Sequence, residues 1–286
     1  MILSDSQVDT VETSPAGWPR WAICLQFRVV FDDPAANLAL VRQRLAELAP
    51  AAGSLVVLPE LWAAGFAYPS LARQAARTPE LLAALAAEAA DRGITVAGSL
   101  PEAAVATDGG YLYYNTLYLV EPAGVAGKYR KQRLFAPLGE DRYFRAGTDD
   151  HGAGEPRGPL PAAWGPVAAL VCFDLRFPEL ATAQVDRGAE LLLVSAQWPR
   201  ARRQHWRVLL QARAIENQIF VVACNTCGRV GESDFAGTSM IIAPDGEVLA
   251  EAGGTPQALG APLDFSRLAA ARRLFRTRSP GPTTCG

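Results

Sequence analysis

Apolar residues in this chain come in two rhythms. Short unbroken runs, bounded by Gly, Pro or charged residues, predict strands buried on both faces. They fall at residues 21–30, where Gln26 interrupts, and at 55–58, 94–100, 111–120, 167–171, 191–195 and 219–224. Elsewhere apolar residues recur at three- and four-residue spacing, which predicts helices at 35–48, 79–92, 179–187 and 203–217. Asp33-Pro34 opens the first helix, and Thr78 before Pro79 reads as the N-cap of the second. Pro59 closes the strand at 55–58, because proline cannot donate to a central ladder. Pro122 with Gly124, and Pro244-Asp245-Gly246 between 238–243 and 247–250, signal hairpins. Residues 137–146 and the Gly-, Pro- and Ala-rich stretch 149–165 read as loops.

Strands that run directly into helices predict an α/β fold, and the two hairpins make its sheets mixed, not purely parallel. Residues 21–267 read as one domain, preceded by a loose polar arm (1–20) and followed by a loose, basic, then Pro- and Gly-rich tail (268–286). No Gly-x-Gly-x-x-Gly follows the first strand and no Gly-x-x-x-x-Gly-Lys-Ser/Thr occurs, so the usual nucleotide fingerprints are missing. No apolar stretch is long enough to predict a membrane span, and no signal-peptide pattern opens the chain. The formal charge of -2 over 286 residues argues against a nucleic-acid partner held by phosphate neutralisation. The cysteines at 24, 172, 224, 227 and 285 are odd in number and scattered, which points away from a disulfide framework and towards a reducing, cytoplasmic setting. Cys224-Asn225-Thr226-Cys227 stands alone, and His151 and His205 are the chain's two histidines, so a four-ligand zinc site is not expected.

The candidate chemistry gathers at strand ends. Cys172 ends the run 167–171, and the chain then turns into Phe173-Asp174-Leu175-Arg176. Strand C-termini are where α/β folds place chemistry, and backbone N–H groups after such a turn can face a developing oxyanion. A buried structural cysteine is the plainer reading. Glu60 ends the second strand beside Leu61, Trp62 and Phe66, whose apolar surroundings would raise a carboxyl pKa. Lys131 lies in the basic run Lys128 to Arg133, either on an exposed edge or aimed inward. A thiol beside a carboxylate and an ammonium is a workable nucleophile with its base.

Leu58-Pro59-Glu60-Leu61-Trp62, Tyr129-Arg130-Lys131-Gln132-Arg133-Leu134-Phe135 and Val171-Cys172-Phe173-Asp174-Leu175-Arg176-Phe177-Pro178-Glu179 occur in that order. Together they resemble the glutamate, lysine and cysteine motifs of the nitrilase superfamily of carbon–nitrogen hydrolases, over residues of about 21 to 265. The resemblance implies a four-layer α-β-β-α sandwich with two mixed sheets, no metal or organic cofactor, and a homodimer or higher homo-oligomer. It implies that Glu60 is the general base, Cys172 the nucleophile and Lys131, with the Phe173 backbone N–H, the stabiliser of the tetrahedral intermediate. Glu140 matches the second active-site glutamate, which orients the lysine and the attacking water. Gln197-Trp198-Pro199 and residues 212–218 are similar to the omega-amidase branch, whose substrates are short amides bearing a carboxylate. Arg176 is then a candidate for holding that carboxylate, or for a supporting salt bridge, and Trp62, Phe66 and Trp198 for walling the pocket. An N-carbamoyl amino acid hydrolase and a catalytically silent interaction protein on the same fold are the alternatives.

Overall fold

The computed structural model describes residues 17–147 and 158–274. In chain order the elements are β1 (Trp21–Gln26), α1 (Pro34–Leu48), β2 (Leu55–Val57), α2 (Leu71–Arg92), β3 (Thr95–Val105), β4 (Tyr111–Glu121), β5 (Gly124–Arg130) and α3 (Glu140–Tyr143). They continue with β6 (Leu160–Ala162), β7 (Gly165–Val171), α4 (Pro178–Val185), β8 (Leu191–Ala196), α5 (Arg203–Asn217), β9 (Phe220–Asn225), β10 (Cys227–Val230) and β11 (Ser233–Ala236). Last come β12 (Met240–Ile242), β13 (Val248–Glu251), β14 (Gln257–Pro262) and α6 (Ser266–Leu274).

Two six-stranded mixed sheets result, ordered β14-β1-β2-β3-β4-β5 and β13-β12-β9-β8-β7-β6, with β10 and β11 forming a separate ribbon. The side chains of the first sheet sort by the period of two that a strand imposes. Ala22, Cys24, Leu55, Val57, Ala97, Leu117 and Leu119 face the second sheet, whereas Ile23, Leu25, Val56, Leu58, Val96, Tyr118 and Val120 face α1 and α2. Both faces are covered, which is why these strands read as continuous apolar runs. Helices α4 and α5 cover the far face of the second sheet through Leu180, Ala181, Trp206, Leu210 and Ala214. The layers are therefore α-β-β-α. Small residues between the sheets bring the backbones close enough for direct bonds: Thr226 Oγ1 donates to Phe27 O at 2.8 Å and Ser195 Oγ to Leu58 O at 2.9 Å.

Several local expectations change. The first strand stops at Gln26, short of residue 30. Helix α2 starts at Leu71, so Pro79 lies inside it and Thr78 is not its cap. Thr78 is buried and donates to Pro101 O at 2.5 Å, while Pro79 is exposed. The 137–146 segment holds the single-turn α3, and 160–162 adds β6 to an edge. Helix α6 occupies the start of the segment expected to be a loose tail. The arm before residue 17, most of the 149–165 loop, His151 and Cys285 lie outside the described residues.

Strand direction positions the site. β1, β2 and β3 are parallel, and β5 shares their direction because β3–β4 and β4–β5 are both antiparallel. β7, β8 and β9 are parallel in the other sheet. The C-terminal ends of β2 and β5 meet those of β7 and β8 across the sandwich.

Candidate active site

Glu60, Lys131 and Glu140 come together in full burial. Lys131 Nζ donates to Glu60 Oε1 at 2.8 Å and to Glu140 Oε1 and Oε2 at 2.9 and 2.8 Å. All three side chains have no solvent exposure. Burial opposes the charge on Lys131, but Glu140 and then Glu60 more than offset it and hold the ammonium well above its ordinary pKa. Asn115 Nδ2 bridges the two carboxylates, at 2.8 Å from Glu60 Oε1 and 3.1 Å from Glu140 Oε1. The Phe135 backbone N–H donates to Glu140 Oε2 at 2.8 Å, and the Gln197 backbone N–H to Glu60 Oε2 at 2.9 Å.

Cys172 follows β7 with φ of 48°, a left-handed conformation that is rare and strained for a side-chain-bearing residue. The strand turns there into a short 3-10 helix, Cys172–Arg176. The turn projects Sγ out of the sheet and puts the Phe173 N–H in the first turn of the helix, where amides have no partner within the helix. The Sγ lies 3.8 Å from Gln197 O. Burial, then the Glu60 carboxylate, push the thiol well above its ordinary pKa. Both directions favour the thiol and the ammonium forms of the two groups.

The turn is clasped by Asp174. Its Oδ1 accepts from the backbone N–H of Gln132 at 3.2 Å and of Arg133 at 2.7 Å. Its Oδ2 accepts from Val171 N at 3.1 Å and Tyr129 Oη at 3.0 Å. One carboxylate thus ties the end of the cysteine strand to the residues on both sides of Lys131. Burial pushes it up to about 7, opposed by Lys131 and those donors.

A pocket opens over Cys172 and Lys131, walled by Phe66, Phe135, Phe173 and Trp198 and edged by Arg176. Arg176 Cζ lies 4.8 Å from the Trp198 ring centroid, and one guanidinium nitrogen lies 3.3 Å from His205 Nδ1. Among the described residues Arg176 has no carboxylate partner; Glu179, the neighbouring acid, pairs with Arg133. Burial, then the charge of Arg202, lower the Arg176 pKa. Phe66 and Trp198 stand where the sequence places them, but Trp62 does not. Leu61 has φ of 42°, and that turn sends Trp62 into the outer core under α2. It packs against Gly98, where a Cβ would come within 3.0 Å of its ring. The sequence assigns no role to Asn115, Gln197 or Asp174. Asn115 carried a signal, a polar residue inside an apolar strand. The other two are defined by contacts across the sandwich.

A thiol at a strained turn, with a buried carboxylate and a cation beside it, is an arrangement suited to a hydrolase that works through cysteine. The chain belongs to the carbon–nitrogen hydrolase family, whose model matches residues 22–273. It is 37% identical over 259 residues to the 2-oxoglutaramate amidase of Bacillus subtilis (strain 168), covering 88% of this chain and 94% of that one. It is 35% identical over 229 residues to the omega-amidase YafV of Escherichia coli (strain K12), covering 80% and 83%. The solved CN-hydrolase superfamily protein XC1258 from Xanthomonas campestris, with an arsenic adduct in its active site, superposes with a TM-score of 0.78 at 30% identity, over 89% of this chain and 94% of that one. The protein is a carbon–nitrogen hydrolase on an α-β-β-α sandwich. No helix among the described residues is long and apolar enough to cross a membrane.

Proposed function

We propose that the protein hydrolyses the terminal amide of a small carboxylate-bearing compound, as an omega-amidase does, releasing ammonia through a cysteine thioester. The observation that carries the substrate class is Arg176: a guanidinium edging the same pocket as Cys172, with no carboxylate partner among the described residues. Its planar fork matches a carboxylate in two parallel bonds. The names of the Bacillus and Escherichia relatives agree with that choice.

The site's geometry supports these steps. Cys172 Sγ attacks the amide carbon while its proton passes to Glu60. The carbonyl oxygen becomes an oxyanion facing Lys131 Nζ and the Phe173 N–H, donors already fixed before charge develops. Collapse breaks the carbon–nitrogen bond, the Glu60 proton goes to nitrogen, and ammonia leaves a thioester. Water then attacks that carbon, giving a proton to Glu60. The carbon–sulfur bond breaks, the carboxylic acid departs and the thiol regains its proton. Glu140 stays outside this transfer, holding the lysine with both oxygens.

Ammonia release from succinamate and butyramide, in the wild type and in Arg176→Met, tests the reading. The wild type is expected to prefer succinamate by roughly 10–10³-fold in kcat/KM, each factor of ten being about 1.4 kcal/mol. The variant should lose the preference and keep butyramide. Equal use of both amides by the wild type removes Arg176 as the reader of the carboxylate, and loss of both by the variant makes it a residue that shapes the pocket.

A further inference from the structure

Gln197 is held on three sides by the reacting groups. Its backbone N–H donates to Glu60 Oε2 at 2.9 Å, its side-chain Nε2 donates to Glu60 O at 2.8 Å, and its carbonyl lies 3.8 Å from Cys172 Sγ. Because Nε2 faces a carbonyl oxygen, the orientation of the amide is fixed by its partner. The other end, Oε1, is buried with no hydrogen-bond partner among the described residues. Gln197 lines the pocket beside Cys172. Besides Cys172, the other charged and polar side chains of that lining, those of Lys131, Arg176, Arg202 and Trp198, carry N–H donors; among the described residues of the lining, Gln197 is the one whose side chain carries an oxygen. A buried acceptor left unpaired carries a desolvation cost that a ligand bearing a donor would recover.

We propose that Gln197 Oε1 binds the scissile NH2 group of the substrate and is the residue by which the enzyme selects carboxamides over esters. This rests on the amidase reading above. The reacting carbonyl oxygen is taken by Lys131 and the Phe173 N–H, so the nitrogen of the same planar amide must point away from them. A primary amide brings two N–H donors to that side and an ester brings none. One N–H on Gln197 Oε1 holds the nitrogen beside Glu60, the group that delivers the proton on which ammonia departs. The contact acts on the leaving nitrogen and not on the acyl chain, so its effect follows the leaving group.

The test compares succinamate with monomethyl succinate, which share one acyl group, in wild type and Gln197→Met. The amide kcat/KM should fall roughly 10–100-fold, the effect of about 1.4–2.7 kcal/mol, and the ester kcat/KM by much less, so that the amide-to-ester ratio drops. Gln197→Asn keeps the amide group but withdraws it by one methylene, and should lower the ratio by an intermediate amount. That variant decides the matter if thermal unfolding shows that the methionine variant is not folded. Equal falls for both substrates overturn the proposal, because they make Gln197 a support for Glu60 alone, and so does an unchanged ratio. Either result leaves the amidase reading standing if the wild type still releases ammonia. A wild type that cleaves the ester and neither succinamate nor butyramide overturns both.

Discussion

Lys131 is a cation placed where two carboxylates would otherwise face each other without water. Removing it takes away the donor proposed for the oxyanion and also leaves the Glu60 and Glu140 carboxyl groups buried without their cation. The first loss should lower kcat by about 10²–10³. The second should destabilise the fold by about 3–5 kcal/mol. Lys131→Gln is therefore expected to be slow and fragile together, by steady-state kinetics and urea unfolding. Adding Glu140→Gln removes one of the stranded charges, so the double variant should regain stability and remain slow. If stability stays low in the double variant, the loss comes from packing and not from charge. The same residue scale explains why Trp62 could not be placed from sequence. Two positions from Glu60 is close along the chain, but a single left-handed φ at Leu61 separates their directions.

Among elements, the join between β7 and the chain just after β5 rests on Asp174. Asp174→Asn keeps the volume but turns one acceptor oxygen into an NH2 group facing two donors. Its expected cost is about 1–3 kcal/mol in chemical denaturation, with kcat lowered more than KM is raised. Unchanged unfolding would mean that the turn is held by its packing alone. Another join crosses β3, β4 and β5. Glu102 accepts from Thr116 at 2.8 Å, Lys128 at 2.5 Å and Arg130 at 2.9 Å. Burial raises its pKa, but Arg130, Lys128 and Thr116 outweigh that and bring it to about 2 from the ordinary 4.5. A carboxyl depressed in the fold stabilises above its unfolded value and loses that contribution as pH falls through its folded value. The melting temperature of wild type should therefore exceed that of Glu102→Gln at pH 6, and the gap should close between pH 4.5 and pH 2. A gap that persists at pH 2 would assign the difference to packing.

At the scale of the molecule, what was legible follows burial. Strands covered on both faces, such as β2, β7, β8 and β9, left unbroken apolar runs, and Glu60 and Cys172 were found because they end two of those runs. β10, β11 and β14 were missed. Each has exposed positions or glycine in its short length, and its pairing is decided by partners and not by its own pattern. Glu140 was reached by likeness to a family motif. Nothing local to Pro137-Leu138-Gly139-Glu140 indicates that a buried lysine turns towards it. Asp174 and Gln197 have no linear signature of their roles, because their partners lie 41 and 137 residues away.

The pairing of β14 with β1 also has a history within each molecule's lifetime. Trp21 lies opposite Pro262, so β1 leaves the ribosome long before the strand that covers its outer edge. During synthesis that edge offers open N–H and C=O groups to any other strand nearby. A chain ended at residue 256 keeps Glu60, Lys131, Glu140, Cys172 and Gln197 but never receives the covering strand. It should collect in the insoluble fraction on expression, and a soluble, active chain of that length would show that the edge is protected in some other way.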